Sequence, residues 1–297
     1  MSMLFCFGLS YSAAAYAEYY GAPFSRIAGT VRDGDKASRI SRDGFGGRPA
    51  EAFGFGAAEN DKAIAAALSE ASLVIVSIPP DENGDIALRR YGESLKAAKN
   101  LRSIVYLSTI GVYGDHGGAW VDEMTPAIPV SPRSAERRQA ETEWQAFGAA
   151  HDIAVAILRL PGIYGPGRNA LVDLKSGRAR RIVKPGQVFN RIHVRDIAQS
   201  IEMAYRRGAN GIFNICDDEP APAQDVVSFA AELLGVTPPP EIAFETLKET
   251  LPPMALSFYG ECKRARNARM KDELGVVLAY PSYREGLRAL HQSGGFA

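Results

Sequence analysis

Cysteine and histidine are scarce in this chain of 297 residues, which has three cysteines and four histidines. Cys6, Cys216 and Cys262 are odd in number and far apart, so no disulfide framework is predicted. Neither residue type shows the paired spacing of zinc ligands. We therefore expect no metal site, and a reducing, cytoplasmic compartment is the simplest setting for the free thiols.

Net charge is also absent, because 34 Lys and Arg balance 34 Asp and Glu. Such a chain has no global field to attract nucleic acid or an anionic membrane surface. Neither is an expected partner.

Long apolar runs are missing too, since no segment approaches the roughly 20 apolar residues of a membrane span. Residues 1–17 are apolar and end in small residues, as a secretory signal does. However, no Lys or Arg precedes Arg26, and Gly8, Ser10 and Ser12 interrupt the run. Because the basic segment of a signal peptide is missing, we favour a strand followed by a turn over a signal peptide for these residues.

Strand-like and helix-like segments alternate along the chain. Strands are predicted over residues 4–7, 26–31, 73–78, 103–108 and 153–159, with a weaker one at 50–53 and a late one at 211–216. Helices are predicted over residues 13–20, 61–71, 86–99, 134–150, 196–207 and 223–234. This order predicts an α/β fold, a doubly wound parallel sheet of the Rossmann type.

The character of the sequence changes after Arg159, where turn residues replace the regular alternation. We predict a dinucleotide-binding Rossmann domain over residues 1–162, to which 194–217 returns, and a smaller C-terminal substrate domain over 163–297. In such sheets ligands bind at the carboxyl ends of the strands.

The first turn, GLSYSA at residues 8–13, keeps only one glycine of the G-x-G-x-x-G pattern. Gly8 allows the tight bend, and Ala13 is an accepted replacement for the third glycine. Ser10 adds a side chain where a diphosphate would approach, which leaves open the alternative that no dinucleotide binds.

The end of the second strand bears on the choice of cofactor. No acid stands there to accept the ribose hydroxyls of NAD, whereas Arg32 can hold a 2′-phosphate. NADP is therefore favoured over NAD. The alternative is that Arg32 is a solvated charge paired with Asp33.

Four later segments resemble the extended short-chain dehydrogenase/reductases, also called NAD-dependent epimerases/dehydratases. They are STIGVYG at 108–114, LRLPGIYGPG at 158–167, IHVRDIA at 192–198 and FNICDD at 213–218. The resemblance implies a Rossmann fold, a nicotinamide cofactor and a homodimer formed through the helices near residues 86–99 and 134–150. It also implies that Thr109 orients the substrate oxygen.

The family's Tyr-x-x-x-Lys pair would fall on Arg133 and Arg137. An arginine stays protonated and cannot replace the tyrosine as a proton donor, although Arg137 could hold ribose hydroxyls. Tyr113 is the nearest substitute donor, Tyr164 is a weaker one, and the third possibility is that neither serves.

A basic stretch without any acid lies beyond residue 174. It consists of Lys175, Arg178, Arg180, Arg181, Lys184, Arg191 and Arg195. It either favours an anionic substrate or forms a solvated surface face.

These observations predict three sets of site residues. The cofactor set is Gly8, Ser10, Tyr11, Ser12, Ala13, Arg32, Ser77, Ile78, Pro79, Arg137, Pro161, Gly162 and Ile163. The substrate set is Thr109, Tyr113, Arg133, Lys184, Arg191 and His193, and the catalytic set is Thr109, Tyr113 and Arg137. The leading hypothesis is an oxidoreductase or epimerase/dehydratase-like enzyme acting on a carbonyl or hydroxyl of a small anionic substrate, a nucleotide sugar being one candidate. The alternative is a cofactor-binding regulator without turnover.

Overall fold

A computed structural model describes residues 2–294. Its strands are β1 (Met3–Phe7), β2 (Arg26–Val31), β3 (Glu51–Gly54), β4 (Ala71–Val76), β5 (Ser103–Thr109), β6 (Trp120–Val121), β7 (Ala154–Leu160), β8 (Gly162–Tyr164), β9 (Arg181–Val183), β10 (Arg191–His193), β11 (Gly211–Asn214), β12 (Glu241–Ala243) and β13 (Arg264–Ala265). Its helices are α1 (Tyr11–Tyr20), α2 (Gly34–Asp43), α3 (Asp61–Glu70), α4 (Ile86–Ala97), α5 (Pro132–His151), α6 (Ala170–Lys175), α7 (Val194–Arg207), α8 (Ala223–Leu234), α9 (Phe244–Leu247), α10 (Pro253–Tyr259), α11 (Ala268–Asp272) and α12 (Tyr283–Ser293).

Seven parallel strands form the central sheet, in the order β11-β7-β5-β4-β1-β2-β3. The predicted doubly wound sheet is confirmed, including the late strand that returns to its edge. β1, β2, β4, β5 and β7 are recognisable in the sequence because nearly all their residues are buried and most are apolar, whereas the edge strand β3 has no buried residue. All six residues of β4, for example, are buried.

Helices cover both faces of the sheet. On one face α1 and α7 pack together through buried side chains such as Tyr16 and Ile201. On the other face α3, α4 and α5 contribute Leu68, Tyr91 and Trp144 to a second core. Burial of a large apolar side chain stabilises a fold by about 1.5–3 kcal/mol, so these two layers hold the sheet rigid.

Helix α2 was not predicted from the sequence. Its sequence, GDKASRISRD, is almost entirely polar, and only Ile40 is buried against the sheet. Asp33 begins the helix as its N-cap, accepting a hydrogen bond from the amide of Asp35. A helix with one buried residue leaves little apolar periodicity to detect.

The remaining elements gather beside the carboxyl ends of the sheet strands. Three two-stranded parallel pairs, β8–β10, β9–β12 and β6–β13, join segments that are distant in the sequence. Helices α6, α8 and α12 share a small core that includes Leu171, Phe229 and Leu287. The predicted domain boundary at residue 162 falls at the start of β8 and stays a prediction. Within the described residues, no helix has the length and apolar character of a membrane span.

Candidate functional site

The turn between β1 and α1 is built to bring backbone close to a ligand. Gly8 has φ +95°, a left-handed conformation that favours glycine. A Cβ at this position would lie 2.6 Å from Ser77 Oγ and 2.9 Å from Ile78 Cγ2. The amide of Gly8 donates to Thr30 Oγ1 at 3.0 Å, which ties the turn to the end of β2. The turn is therefore a rigid cradle at the carboxyl edge of the sheet.

The side chain of Ser10 does not block the cradle, because it caps the first turn of α1. It is the N-cap of α1, and its hydroxyl accepts from the amide of Ala13 at 3.4 Å. The first amides of a helix have no intrahelical partner, and those of Tyr11 and Ser12 make no hydrogen bond to the described residues. Such amides, at the positive end of the helix dipole, suit a diphosphate. The residues present fit a dinucleotide.

Two basic side chains flank the turn at the end of β2. Arg32 is exposed, and it makes no ion pair with Asp33, whose carboxylate caps α2 instead. Lys36 Nζ donates to the carbonyl oxygen of Leu9 at 3.0 Å, which brings a second positive charge to the turn. Sequence reasoning missed Lys36 because α2, the helix that carries it, was not predicted.

Arg137 lies between the ends of β4 and β5. Its Nη1 donates to the Ile78 carbonyl (3.2 Å), the Tyr106 hydroxyl (2.9 Å) and the Leu107 carbonyl (3.2 Å). Its Nε and Nη2 make no hydrogen bond to the described residues, so two donor atoms stay available at the sheet edge. One turn earlier on α5, Arg133 is exposed.

Thr109 is the last residue of β5 and pairs in register with Leu160 on β7. Its hydroxyl accepts from the amide of Gly111 at 3.0 Å, and the side chain is half-buried. Because residues 161–163 follow Leu160 directly, Thr109 stands beside the predicted cofactor segment. This placement agrees with a residue that contacts a ligand in the cleft.

The prediction that Tyr113 donates a proton or contacts substrate is wrong. The tyrosine ends a short 3₁₀ turn that directs its ring into the core, where it is fully buried. Its hydroxyl donates to Asn214 Oδ1 at 2.8 Å, and Arg159 lies over the ring at 4.7 Å. Burial raises the pKa of Tyr113 to about 12. Tyr113 therefore supports the fold beneath the site.

Tyr164 is not a proton donor either. Its buried hydroxyl donates to the carbonyl oxygen of Ser282, and burial raises its pKa further above the ordinary range. A Cβ on Gly286 of α12 would overlap the Tyr164 hydroxyl. The ring is thus held against α12 by close contact with a glycine.

His193 was predicted to bind substrate, and the structure corrects this as well. The ring is only 3% exposed and packs against Tyr164 and Tyr280. Its Nδ1 accepts from the amide of Arg195, so His193 is the N-cap of α7. Burial, with help from the Arg195 charge, lowers its pKa to about 4.

The low pKa of His193 predicts a loss of stability in acid. As pH falls from about 6.5 towards 4, His193 becomes protonated in the unfolded chain but stays neutral in the folded protein. The free energy of unfolding therefore falls by about 1.4 kcal/mol per pH unit. His193→Asn keeps a side-chain oxygen for the cap but cannot titrate. Urea unfolding across this range should show a shallower acid loss for the variant than for the native chain. Parallel pH profiles would contradict the assignment.

The basic stretch does not act as one surface. Ion pairs join Arg178 to Asp173 and Arg181 to Glu241. Lys184 donates to the carbonyl of Tyr259 and lies over the Phe244 ring, and its role in substrate binding stays a prediction. Arg191 is different, because it lines a cavity between β8, α6, α8 and α12.

The cradle, the free helix amides and the sheet edge define a dinucleotide-binding α/β protein. Residues 87–216 match the model of the NAD dependent epimerase/dehydratase family. This match agrees with the resemblance to the same family that the sequence motifs indicated.

Comparison with individual proteins agrees with this. The chain is 42% identical to a functionally unknown conserved protein from Silicibacter pomeroyi, with a TM-score of 0.86 and coverage of 99% of both chains. It is 29% identical over 210 residues to a 3-diazoavenalumate denitrifying reductase from a Streptomyces species, and the match covers 66% of each protein, just under two thirds of the reductase. A dTDP-glucose 4,6-dehydratase from Bacillus anthracis, solved in complex with NAD, shares the fold, with a TM-score of 0.75, 19% identity and coverage of 98% and 96%.

Proposed function

We propose that this protein is a nicotinamide-dependent reductase that prefers NADPH and acts on a small anionic substrate without a tyrosine proton donor. The observation that carries the proposal is the cradle at Gly8, where backbone approaches so closely that a Cβ would collide with Ser77 and Ile78. A bound nicotinamide would supply hydride to a carbonyl carbon of the substrate, and water would supply the proton for the carbonyl oxygen. The similarity to a denitrifying reductase favours reduction over epimerisation.

The chain's own residues would bind the cofactor and orient the substrate. The amides of Tyr11 and Ser12 would hold the diphosphate, and the unengaged Nε and Nη2 of Arg137 would hold ribose hydroxyls in place of the family lysine. Thr109 would donate a hydrogen bond to a substrate oxygen. Arg133, exposed on the first turn of α5, would stabilise negative charge on the substrate electrostatically rather than by giving up a proton.

Preference for NADPH would come from Arg32 and Lys36. Both charges border the turn that receives the adenosine half in this fold, and no carboxylate stands at the strand end to repel a phosphate. Charge-assisted hydrogen bonds to a 2′-phosphate would distinguish it from a hydroxyl.

A cofactor-binding regulator is the second candidate. It is favoured by one observation, that Tyr113 and Tyr164 are both buried and hydrogen-bonded within the protein. The prediction that Arg133 and Arg137 replace the Tyr/Lys pair points the same way. A regulator would bind dinucleotide but transfer no hydride.

Two measurements separate these candidates. Fluorescence titration with NADPH and NADH tests binding, and incubation with NADPH deuterated at the transferred position tests transfer of deuterium to a panel of anionic carbonyl compounds. We expect tighter NADPH binding and deuterium in the product. Thr109→Val should lower turnover while leaving NADPH affinity unchanged, because Thr109 is assigned to the substrate. Binding without transfer to any acceptor would establish the regulator, and no binding of either dinucleotide would overturn both candidates.

A further inference from the structure

A cavity of about 250 Å³ lies in the small region beside the sheet. Four elements that are distant in the sequence form it, namely β8, β10, α8 and α12, together with the start of α6. Its lining residues are Ile163, Tyr164, Arg168, Asn169, Ala170, Asp173, Arg191, Val226, Tyr283 and Leu287. Thr109, Arg133 and Arg137 are not among them, whereas Ile163 of the predicted cofactor set and Arg191 of the predicted substrate set are.

One lining residue has a polar group without a partner. Tyr283 is 1% exposed, and its buried hydroxyl makes no hydrogen bond to any residue that the structure describes. Leaving a buried hydroxyl unsatisfied costs about 1–3 kcal/mol, and native proteins rarely tolerate it without a reason. A ligand atom that accepts a hydrogen bond in this cavity would remove that penalty.

Arg191 supplies the charge of the cavity. Its Nη1 donates to the carbonyls of Phe189 (2.9 Å) and Ala221 (3.0 Å), which anchor the guanidinium. Its Nε and Nη2 make no hydrogen bond to the described residues. The guanidinium also stands 5.8 Å from the centre of the Tyr283 ring. A guanidinium edge carrying two parallel N–H donors matches the two oxygens of a carboxylate.

None of the surrounding acids forms an ion pair with Arg191 within the part of the chain that the structure describes. Asp217 is the main acid that acts on Arg191, and one Asp217 oxygen is buried without a partner among the described residues. Burial raises the pKa of Asp217 to about 8. Asp173 is paired with Arg178, and Asp225 is exposed to solvent. Arg168 adds a second positive charge to the lining.

Four of the other lining residues are apolar. Ile163, Ala170, Val226 and Leu287 contribute hydrocarbon surface, which favours an uncharged, compact ligand body over a hydrated inorganic ion. We propose that this cavity binds a small organic carboxylate, with the carboxylate on Arg191 and the Tyr283 hydroxyl and the hydrocarbon part against Val226 and Leu287. This goes beyond the proposed reductase activity and does not depend on it.

The proposal is tested by calorimetric titration of the full-length protein, without dinucleotide, using benzoate and its neutral isostere benzamide. We expect one saturable benzoate site and at least tenfold weaker benzamide binding, because the amide cannot form two charge-assisted hydrogen bonds. The absence of dinucleotide keeps this result separate from any failure of the proposed reductase. Equal binding of the two probes, no benzoate binding, or tighter binding of inorganic phosphate than of benzoate would overturn the carboxylate assignment.

Three variants test whether benzoate binds in this cavity. Arg191→Gln should weaken benzoate at least tenfold, but Arg191 also anchors two carbonyls, so a second variant is needed. Tyr283→Phe loses only a hydroxyl that has no partner, and it should weaken benzoate about threefold to tenfold without lowering the melting temperature. Arg180→Gln removes the same charge from an exposed position outside the cavity and should change nothing. Unchanged affinity in both Arg191→Gln and Tyr283→Phe would refute the site.

Discussion

Glu141→Ala is expected to lower the free energy of unfolding by about 3–5 kcal/mol. Glu141 on α5 is fully buried and accepts from Arg159 Nε at 3.0 Å, Arg159 Nη2 at 2.7 Å and Ser108 Oγ at 2.6 Å. Arg159 on β7 is itself only 2% exposed. Removing the carboxylate would leave a guanidinium buried under the sheet without its counter-charge, which is the costly form of a broken ion pair.

Urea unfolding followed by circular dichroism measures this loss. Asp43→Ala is the matched control, because it breaks the exposed pair with Arg42 and should change stability by no more than about 0.5 kcal/mol. The double variant Glu141→Met with Arg159→Met should recover much of the stability, since it removes both charges. If Glu141→Ala cost no more than Asp43→Ala, the buried pair would not hold α5 to the sheet.

The second large effect is expected at the cofactor turn, where Arg32→Glu combined with Lys36→Glu should weaken NADPH binding on the order of 100-fold. The reason is the loss of two positive charges beside the 2′-phosphate and their replacement by two carboxylates that repel it. NADH, which carries a hydroxyl there, should be affected far less, so the preference between the two should reverse.

Fluorescence titration of both dinucleotides against native and variant protein gives the two affinity ratios. Arg42→Glu makes the charge change of one of these two substitutions at the far end of α2, next to Asp43, and should leave both affinities nearly unchanged. The assignment of Arg32 and Lys36 would be wrong if the native protein bound NADH more tightly than NADPH. It would also be wrong if the double variant kept its NADPH affinity.

The sheet could be predicted from the sequence because parallel strands buried on both faces appear as short apolar runs separated by helices. The same logic failed for α2, whose stability comes from its N-cap and one buried isoleucine rather than from a periodic apolar face. Because α2 was not predicted, Lys36 was not predicted either, although its side chain donates to the turn between β1 and α1.

The candidate site was harder to predict because distance along the chain does not show which way a side chain points. Tyr113 follows Thr109 closely, yet the 3₁₀ turn between them sends the tyrosine inward to Asn214, which is remote in sequence. His193 likewise belongs to a helix cap rather than to the cleft. The cavity around Arg191 was beyond sequence reasoning, since its walls come from segments joined only by tertiary packing.

The contact between Gly286 and Tyr164 has a consequence for how this chain can diverge. Any side chain on Gly286 would overlap the aromatic ring, so no larger residue can enter that helix position while the ring remains. Substitutions at the two positions are therefore coupled, because only a smaller residue in place of Tyr164 would leave room for a side chain at position 286. Among descendants of the same ancestor, a larger residue at position 286 should be found only together with a smaller residue at position 164.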